Sequence, residues 1–573
     1  MHPTDAASTR LVRHRPACGC RCEGTAADRR LRFRRSRRTA AAWGLAVLIG
    51  APAALGASES AGPAFDTGDT AWMLTSSVLV LMMTIPGLAL FYGGLVRAKN
   101  VLSTLMHSLF CAAMVSVTWV LYGYSLSFVG DNSFIGNLSL WGLGFGNRNP
   151  ILGTAHPLAP TIPQILFVVY QATFAIITPA LISGTFAERM RFPAFALFML
   201  LWSTFIYTPL AHWVWGGGWI GDMGALDFAG GTVVHISSGI SALVTAIYLG
   251  RRFGYGREPM PPHNLPFTLI GASLLWVGWF GFNAGSALGS GELAAIAFIN
   301  TNTAAAAATL AWLGAEWVKT GRPTLLGAAS GAVAGLVAIT PAAGFVTPLA
   351  AMFIGLAGGV VCYTAVSLKP RLGYDDALDV VGVHFVGGTV GALLTGLFAT
   401  RLVNPAIALE AGTALMLRQL AAVLATCVFC GLGTCVLLVV VNAITTVRAR
   451  QDEEIVGMDL SQHSERAYLL GGGETVVSVR EPRPATSPPP VIGGRFTVSL
   501  SGIDVGAMSE HWRQLCQESN GTPSPEFRTV YARVSTIRGS SFRFRGGDRE
   551  VVRRSLEQLF RPVAAGVKAT IED

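Results

Sequence analysis

The chain has 573 residues, of which 51% are hydrophobic and only 13% are charged. Soluble globular domains carry about 25% charged residues, so this composition excludes a wholly soluble chain and indicates lipid as the main solvent. The net charge of +9 does not indicate nucleic-acid binding, because eleven arginines against three acidic residues lie within residues 1–42 and leave the remainder almost neutral.

Residues 1–58 are predicted to form an arginine-rich leader that ends in a signal peptide. The basic region is followed by the apolar run AAWGLAVLIGAPAALGA, which is short for a full membrane crossing and ends in small residues typical of a cleavage site. The alternatives are an ordinary first membrane span and a true start codon further downstream.

Eleven apolar stretches of near-spanning length follow, which predicts an all-α membrane protein with eleven transmembrane helices in a membrane domain over 66–450. The predicted spans are 71–96, 104–129, 163–186, 193–215, 229–250, 266–287, 292–318, 324–341, 346–368, 381–400 and 415–446.

Basic residues in the short connections predict the orientation of this bundle. Thirteen Lys and Arg lie in one alternate set of connections, from Arg97 to Arg450, whereas the opposite set contains only Arg148, Arg401 and Arg418. Because cytoplasmic loops carry the excess of basic residues, we expect the N-terminus outside the cell membrane and the C-terminus in the cytoplasm.

The polar residues after Arg450 divide into three predicted parts. Residues 451–470 are a cytoplasmic tail segment, and residues 471–494 are a linker rich in Gly and Pro. Residues 495–573 are a small soluble α+β domain, in which RFTVSLSG and TVYARV alternate like strands, and SEHWRQLCQES and DREVVRRSLEQLF have helical spacing. A solvated strand surface is the favoured interpretation of its arginines, although a basic face could be formed by Arg528, Arg533, Arg538, Arg543 and Arg545.

Two histidines occupy equivalent positions of an internal repeat. His235 begins HISSGISALV in the fifth span, and His384 begins HFVGGTVGALL in the tenth, each with a glycine four residues later. Five spans in each half is an odd number, so the halves form an inverted repeat, and such folds place their site near the middle of the membrane.

Ionisable residues inside a membrane are costly and usually functional, so we predict that His235 and His384 meet and line a transport pore. The simpler alternative is that each histidine only hydrogen-bonds a neighbouring helix. A metal site is not expected, because no carboxylate or cysteine joins the pair at ligand spacing.

Aromatic and polar residues flank the predicted pore. Trp215 precedes three consecutive glycines, which predicts a tightly folded mouth whose tryptophan face attracts a small cation. Asp227 would cap the fifth helix and also favour a cation there. Phe282 and Ser286 share one helical face, where Ser286 can accept a hydrogen bond from an ammonium-like ion. Phe282 and Phe174 could close the path, although either phenylalanine alone is more often a packing residue.

Consecutive segments of the chain resemble the signature sequences of the ammonium transporter family, the Amt/Mep/Rh group. These segments are FYGGLVRAKN, ISGTFAERMRF, AHWVWGGG, GALDFAGGTVVHI, PHNLP, GWFGFNAGSAL, AFINT and DVVGVHFVGG, and GMDLSQHSERAY resembles the cytoplasmic tail of the family. The resemblance covers about residues 66–470. It implies that Phe174, Trp215 and Ser286, aided by Asp227, form an outer ammonium recruitment site.

The resemblance also implies that Phe174 and Phe282 form a stacked gate and that His235 and His384 are the twin histidines of the pore. It further implies a homotrimer with one pore in each subunit, controlled at the cytoplasmic face by a PII signalling protein. Residues 495–573 depart from the family pattern, which puts PII control in doubt. We predict no enzymatic activity, no cofactor and no nucleic-acid partner.

The expected function is ammonium transport across the membrane. Potassium resembles ammonium in size and charge but lacks N–H donors, so an acceptor and aromatic faces can discriminate between them. A bare cation is disfavoured in the apolar path below the gate, so we expect ammonia to pass the histidines while they relay the proton. The alternatives are a passive ammonia channel and an ammonium sensor that signals through residues 495–573.

Overall fold

The computed structural model describes residues 64–144, 151–468, 495–518, 524–531, 533–545, 549–564 and 566–572. The chain separates into two compact units, which divide between Tyr468 and Leu469. The predicted leader at 1–58 and the predicted linker at 471–494 lie outside the described residues.

The described residues of the first unit form a bundle of eleven apolar helices. In chain order they are α1 (Thr67–Leu95), α2 (Ala98–Phe128), α3 (Gln164–Phe186), α4 (Phe192–Asp222), α5 (Gly231–Leu249), α6 (Leu265–Ala287), α7 (Glu292–Thr320), α8 (Leu325–Ile339), α9 (Pro348–Leu372), α10 (Val381–Phe398) and α11 (Thr413–Ile444). Helices satisfy their own backbone hydrogen bonds, as a lipid environment requires.

Every predicted span is therefore helical, which confirms the all-α membrane fold. Ten of the described helices are long and apolar enough to cross a membrane. The exception is α8, which has 15 residues because the Thr324 side chain caps its start and residues 340–345 form turns.

Six of the helices contain one π-helical turn each, a feature that the sequence pattern did not predict. These turns are Met83–Leu88, Trp119–Gly123, Ser203–Tyr207, Gly231–Ile236, Phe280–Ala284 and Val381–Phe385. Such turns are rare in general and frequent at functional sites.

Small residues allow close contact between α7, α8 and α9. A Cβ atom added to Gly355 would lie 2.3 Å from the carbonyl oxygen of Ala304, and one added to Gly359 would lie 2.5 Å from that of Ala308. Gly335 of α8 packs equally closely against the same two alanines. Membrane helices lack a hydrophobic drive toward one another, so close backbone approach supplies their packing energy.

Ion pairs join several connections at one end of the bundle. Glu188 accepts from the guanidinium groups of Arg97 and Arg252 at 2.8 and 3.0 Å, and Arg252 also pairs with Asp375 at 2.9 Å. Four connections that the sequence assigns to the same basic side of the membrane therefore meet at one end.

The residues that follow α11 pack against this same end. They form α12 (Gln451–Val456) and α13 (Met458–His463). Lys99 donates to the carbonyl oxygen of Glu454 at 2.8 Å, and the Asp459 carboxylate accepts from the backbone N–H groups of Leu102 and Ser103 at 3.0 and 2.8 Å.

We expect Glu188→Gln to destabilise the first unit in a pH-dependent manner. Burial raises the pKa of Glu188, but the Arg252 and Arg97 guanidinium groups outweigh it and lower the pKa to about 2. The resulting stability is present above the unfolded pKa of the carboxyl group and is lost as the pH falls toward 2. Because one pKa unit corresponds to 1.36 kcal/mol, Glu188→Gln should lower the free energy of unfolding by about 3 kcal/mol at pH 7. At pH 3 the decrease should be less than half as large.

The measurement is thermal unfolding of the purified proteins between pH 3 and pH 7. Glu292→Gln is the control, because Glu292 is an exposed residue at the start of α7. A stability difference between wild type and Glu188→Gln that stays constant over this range would contradict the explanation.

The second unit is a small α+β domain, which confirms the rest of the predicted fold class. Its elements are β1 (Arg495–Ser501), α14 (Val505–Glu518), α15 (Pro525–Tyr531), β2 (Val534–Arg538), β3 (Ser541–Arg545), α16 (Arg549–Phe560) and β4 (Lys568–Glu572). The strands form one antiparallel sheet in the order β2-β3-β1-β4, which is the ferredoxin-like arrangement.

One secondary-structure prediction in this domain is wrong. TVYARV was predicted to be a strand, but its first three residues belong to α15. Phe527 and Val530 are both buried at helical spacing, and the Tyr531 ring stacks on Phe527 with centroids 5.2 Å apart. These contacts outweigh the local strand propensity of the segment.

Candidate functional site

The two repeat histidines lie side by side in the middle of the first unit. Their Nδ1 atoms are 3.3 Å apart, and their ring centroids are 5.3 Å apart with an angle of 19° between the planes. His235 is 2% exposed and His384 is 4% exposed. Each histidine is carried by a π-helical turn at the start of its helix, α5 for His235 and α10 for His384.

Reciprocal glycine contacts bring these two helices together. A Cβ atom on Gly239 would lie 2.4 Å from the backbone nitrogen of Phe385, which follows His384. A Cβ atom on Gly388 would lie 3.0 Å from the Cβ atom of His235. Each half thus presents its glycine to the histidine segment of the other half, as expected for an inverted repeat.

Asp227 holds the turn that carries His235. Its two carboxylate oxygens accept four hydrogen bonds, of 2.6 to 3.1 Å, from the backbone N–H groups of residues 230–233. These are the groups at a helix start that lack intrahelical partners. Burial raises the pKa of Asp227, and the four N–H donors oppose this increase. Its backbone carbonyl accepts the indole N–H of Trp215 at 2.9 Å.

Asp376 is the counterpart of Asp227 in the second half, and it was missed from the sequence. It lies eight residues before His384, as Asp227 lies eight residues before His235. Its carboxylate accepts the backbone N–H of Val381, the first residue of α10, at 2.7 Å. Extending the alignment of the two histidine segments toward the N-terminus would have identified it.

The glycines after Trp215 allow a sharp turn of the chain. Gly217 has φ of +86°, a left-handed conformation that favours glycine. A Cβ atom on Gly216 would lie 2.0 Å from the carbonyl oxygen of Ser127. The tight fold expected next to Trp215 is therefore present.

An aromatic column leads from Trp215 to the histidines. The Trp215 and Phe174 rings meet edge to face with centroids 5.7 Å apart, and the Phe174 and Phe282 centroids are 4.5 Å apart. The Phe282 ring lies 6.1 Å from the His235 ring. Both phenylalanines are at most 1% exposed.

Ser286 lies beside this column at the end of α6. Its hydroxyl donates to the carbonyl oxygen of Phe282 at 2.8 Å, so its lone pairs stay available to accept. The Tyr170 hydroxyl lies 3.2 Å from the Ser286 hydroxyl and donates to Gly281 or Phe282. Tyr170 was not predicted, although it precedes Phe174 by one helical turn on α3.

A small cavity, with room for about one water-sized molecule, lies against the histidine pair. Its other lining residues are apolar or aromatic, namely Met83, Leu88, Phe91, Ile177, Leu181, Leu275, Trp279, Phe282 and Val333. The Nε2 atom of His235 is buried and has no hydrogen-bond partner among the described residues. The cavity thus suits a small neutral molecule that can hydrogen-bond to imidazole nitrogen.

Residues 71–468 match the model of the Ammonium Transporter Family. The chain belongs to this family. The ammonium transporter of Bacillus subtilis strain 168 is 54% identical to this family member over 408 residues, which cover 70% of this chain and 98% of the relative. Amt1 of Archaeoglobus fulgidus is 44% identical over 402 residues, with coverage of 70% and 99%.

Solved structures agree with this membership. The crystal structure of Candida albicans Mep2 has a TM-score of 0.63 and 38% identity, and covers 68% of this transporter family member and 88% of Mep2. A structure described as a sensor Amt protein has a TM-score of 0.63 and 26% identity, with coverage of 69% and 98%. The family resemblance of the sequence motifs is thus confirmed, and residues 495–573 lie beyond the matched range.

Proposed function

We propose that the chain transports ammonium across the cell membrane and conducts it as ammonia past His235 and His384. The observation that carries this proposal is the imidazole pair, joined Nδ1 to Nδ1 beside an apolar cavity. Family membership and relatives named as ammonium transporters support the choice of cargo.

Recruitment of ammonium is assigned to Phe174, Trp215, Ser286 and Asp227. Aromatic faces attract a desolvated cation by up to about 2 kcal/mol, and the Ser286 hydroxyl accepts from an N–H group that potassium lacks. Asp227 contributes by fixing Trp215 through its carbonyl and by adding negative charge near the mouth.

Phe174 and Phe282 are proposed as the gate between this site and the cavity. Their rings are in contact and almost completely buried, so passage of ammonia requires one ring to rotate. The gate excludes water from the cavity, where an unpaired cation would be strongly disfavoured.

The histidine pair offers both hydrogen-bonding roles that ammonia needs. When one neutral ring donates through Nδ1 to the other, its own Nε2 is a proton acceptor, whereas the Nε2 of the other ring carries a proton. When the acceptor Nε2 takes up a proton, the shared proton moves between the Nδ1 atoms and the other Nε2 releases its proton. Both rings are then neutral again and their roles are reversed. The pair can therefore relay a proton separately from ammonia.

The test is His235→Ala combined with His384→Ala in proteoliposomes. We expect the ammonium-evoked current to fall at least tenfold or potassium exclusion to be lost. His263→Ala is the control, because His263 bonds Val96 and Tyr468 away from the cavity. Intact current and intact potassium exclusion in the double variant would refute the relay, and a wild type without any current would favour a passive ammonia channel.

The assembly and topology inferred from the sequence belong to the same proposal. We propose a homotrimer with the N-terminus outside after removal of a signal peptide, and with the C-terminus in the cytoplasm. Four connections of the basic set meet at one end of the bundle, which supports a common side for them. A PII signalling protein is a proposed partner at this end. Residues 495–573 are an argument against control by PII, because they depart from the family pattern.

An ammonium sensor that signals through residues 495–573 is the second candidate. It is supported by the likeness to a sensor Amt protein. The position of the additional domain after the family match is compatible with this function.

A further inference from the structure

Four buried polar side chains form one hydrogen-bonded chain between α6, α7 and the turn after α8. The Trp279 indole N–H donates to the Thr340 hydroxyl at 2.8 Å, and this hydroxyl lies 3.3 Å from the side-chain oxygen of Asn283. The Asn283 amide donates to the Thr301 hydroxyl at 2.9 Å. Each of the four is at most 2% exposed. Polar groups inside a membrane are costly and usually functional, and none of these four belongs to the proposed recruitment site, gate or histidine pair.

The Thr340 hydroxyl is the centre of this chain. A hydroxyl has one proton and two lone pairs, so Thr340 can accept from the indole while it donates to Asn283 or to the carbonyl oxygen of Leu336, which is 2.8 Å away. Valine has almost the same shape as threonine but has no oxygen atom. The partner of the Trp279 N–H would therefore be removed by a valine at this position.

One end of the chain reaches the histidine pair. The Trp279 ring lines the cavity and is nearly parallel to the His235 ring, with centroids 5.5 Å apart and an angle of 21° between the planes. The turn after α8 also touches the segment that carries His235, since a Cβ atom on Gly231 would lie 2.5 Å from the Cβ atom of Pro341. A tilt of the indole would therefore change the orientation of His235.

The other end of the chain reaches the gate. Asn283 follows Phe282 in the π-helical turn of α6, and the Phe282 and Trp279 ring centroids are 5.4 Å apart. Asn283 is joined to α7 by Thr301, whose hydroxyl donates to the carbonyl oxygen of Ala297 at 2.6 Å. The gate ring and the indole thus share one polar support.

We propose that Thr340 is a positioning residue of the pore, which holds the Trp279 indole in the plane that keeps His235 opposite His384. The inference rests on the proposed conduction of ammonia past these two histidines. Thr340 neither lines the cavity nor belongs to the recruitment site, so its loss should lower the maximal rate and leave the KM for ammonium unchanged. If Thr340 only stabilised the packing, its loss would lower stability and leave the rate of the folded protein unchanged.

The experiment measures ammonium flux in proteoliposomes per amount of folded full-length chain. We expect Thr340→Val to lower the maximal rate about tenfold, the factor that corresponds to the loss of one buried hydrogen bond. Thr340→Ser retains the hydroxyl and should keep at least about half of the wild-type rate. In a Trp279→Phe background, which lacks the indole N–H, Thr340→Val should lower the rate less than about twofold.

A second measurement does not depend on transport. The imidazole nitrogen resonances of the pair are assigned in NMR spectra by their absence from His235→Ala combined with His384→Ala. They should shift in Thr340→Val and keep their positions in Thr340→Ser. If Thr340→Val does not fold, Thr340→Cys takes its place in both measurements, because a thiol is only a weak acceptor.

Thr395→Val is the matched control and should transport at the wild-type rate. Thr395 is buried in α10, and its hydroxyl donates to the carbonyl oxygen of Gly391 on the same helix at 2.9 Å. Three results would overturn the inference and leave the proposed function intact: a wild-type rate with unshifted resonances in Thr340→Val, an equal loss in the presence and absence of Trp279, or an equal loss in Thr395→Val. Intact current and potassium exclusion in the double histidine variant would refute the proposed function, and with it this inference.

Discussion

Asp227→Ala is expected to reduce ammonium transport about a hundredfold. The substitution removes the acceptor of four backbone N–H groups at the π-helical turn that carries His235. Each hydrogen bond contributes about 1 kcal/mol, so the turn loses about 4 kcal/mol, and the His235 ring loses its fixed position opposite His384. A flux assay in proteoliposomes measures the effect.

Asp227→Asn separates the capping role from the charge. The amide oxygen still accepts from two of the four N–H groups, so we expect an intermediate loss of maximal rate if capping dominates. A purely electrostatic role would instead raise the KM for ammonium and leave the maximal rate unchanged.

Asp66→Ala is the control for a lost helix cap. Asp66 accepts the backbone N–H of Asp69 at 2.7 Å at the exposed start of α1. We expect a loss of about 1 kcal/mol in stability and unchanged transport. Equal transport in wild type and Asp227→Ala would contradict the assigned role of Asp227.

Gly239→Ala is expected to prevent correct assembly of the pore. The new methyl group would lie 2.4 Å from the backbone nitrogen and 2.5 Å from the Cα atom of Phe385. These are backbone atoms, so α5 and α10 must separate, and overpacking of this kind costs about 3 kcal/mol or more. We expect a low yield of folded protein and loss of transport in what remains.

The same substitution at two other glycines gives a graded series. A Cβ atom on Gly388 would meet its neighbours at 3.0 to 3.2 Å, so Gly388→Ala should cause a smaller loss. A Cβ atom on Gly314 of α7 would meet no atom of the described residues within 4 Å beyond its own helix backbone, and Gly314→Ala should add about 1 kcal/mol of helix stability. From highest to lowest, the melting temperatures should follow the order Gly314→Ala, wild type, Gly388→Ala and Gly239→Ala. A different order would show that the contact between α5 and α10 is not tight.

The features that could be predicted from the sequence are those that depend on hydropathy and on the spacing of motifs. The helical spans and the equivalence of the two histidine segments follow from apolar length and from a repeat that is visible in the letters. The π-helical turns could not be predicted, because one extra residue in a turn leaves the apolar pattern almost unchanged. Tyr170 was missed because its role depends on the carbonyl oxygens of α6, a contact between distant segments.

The reciprocal contacts of Gly239 and Gly388 have a consequence for the direction of flow. Two halves related by a pseudo-two-fold axis present the same imidazole pair to a molecule that arrives from either side. The pair by itself cannot act as a valve, and net movement through it follows the concentration and proton gradients. Any preference for one direction must arise where the symmetry is broken, at Trp215 and the two phenylalanines on one side of the pair.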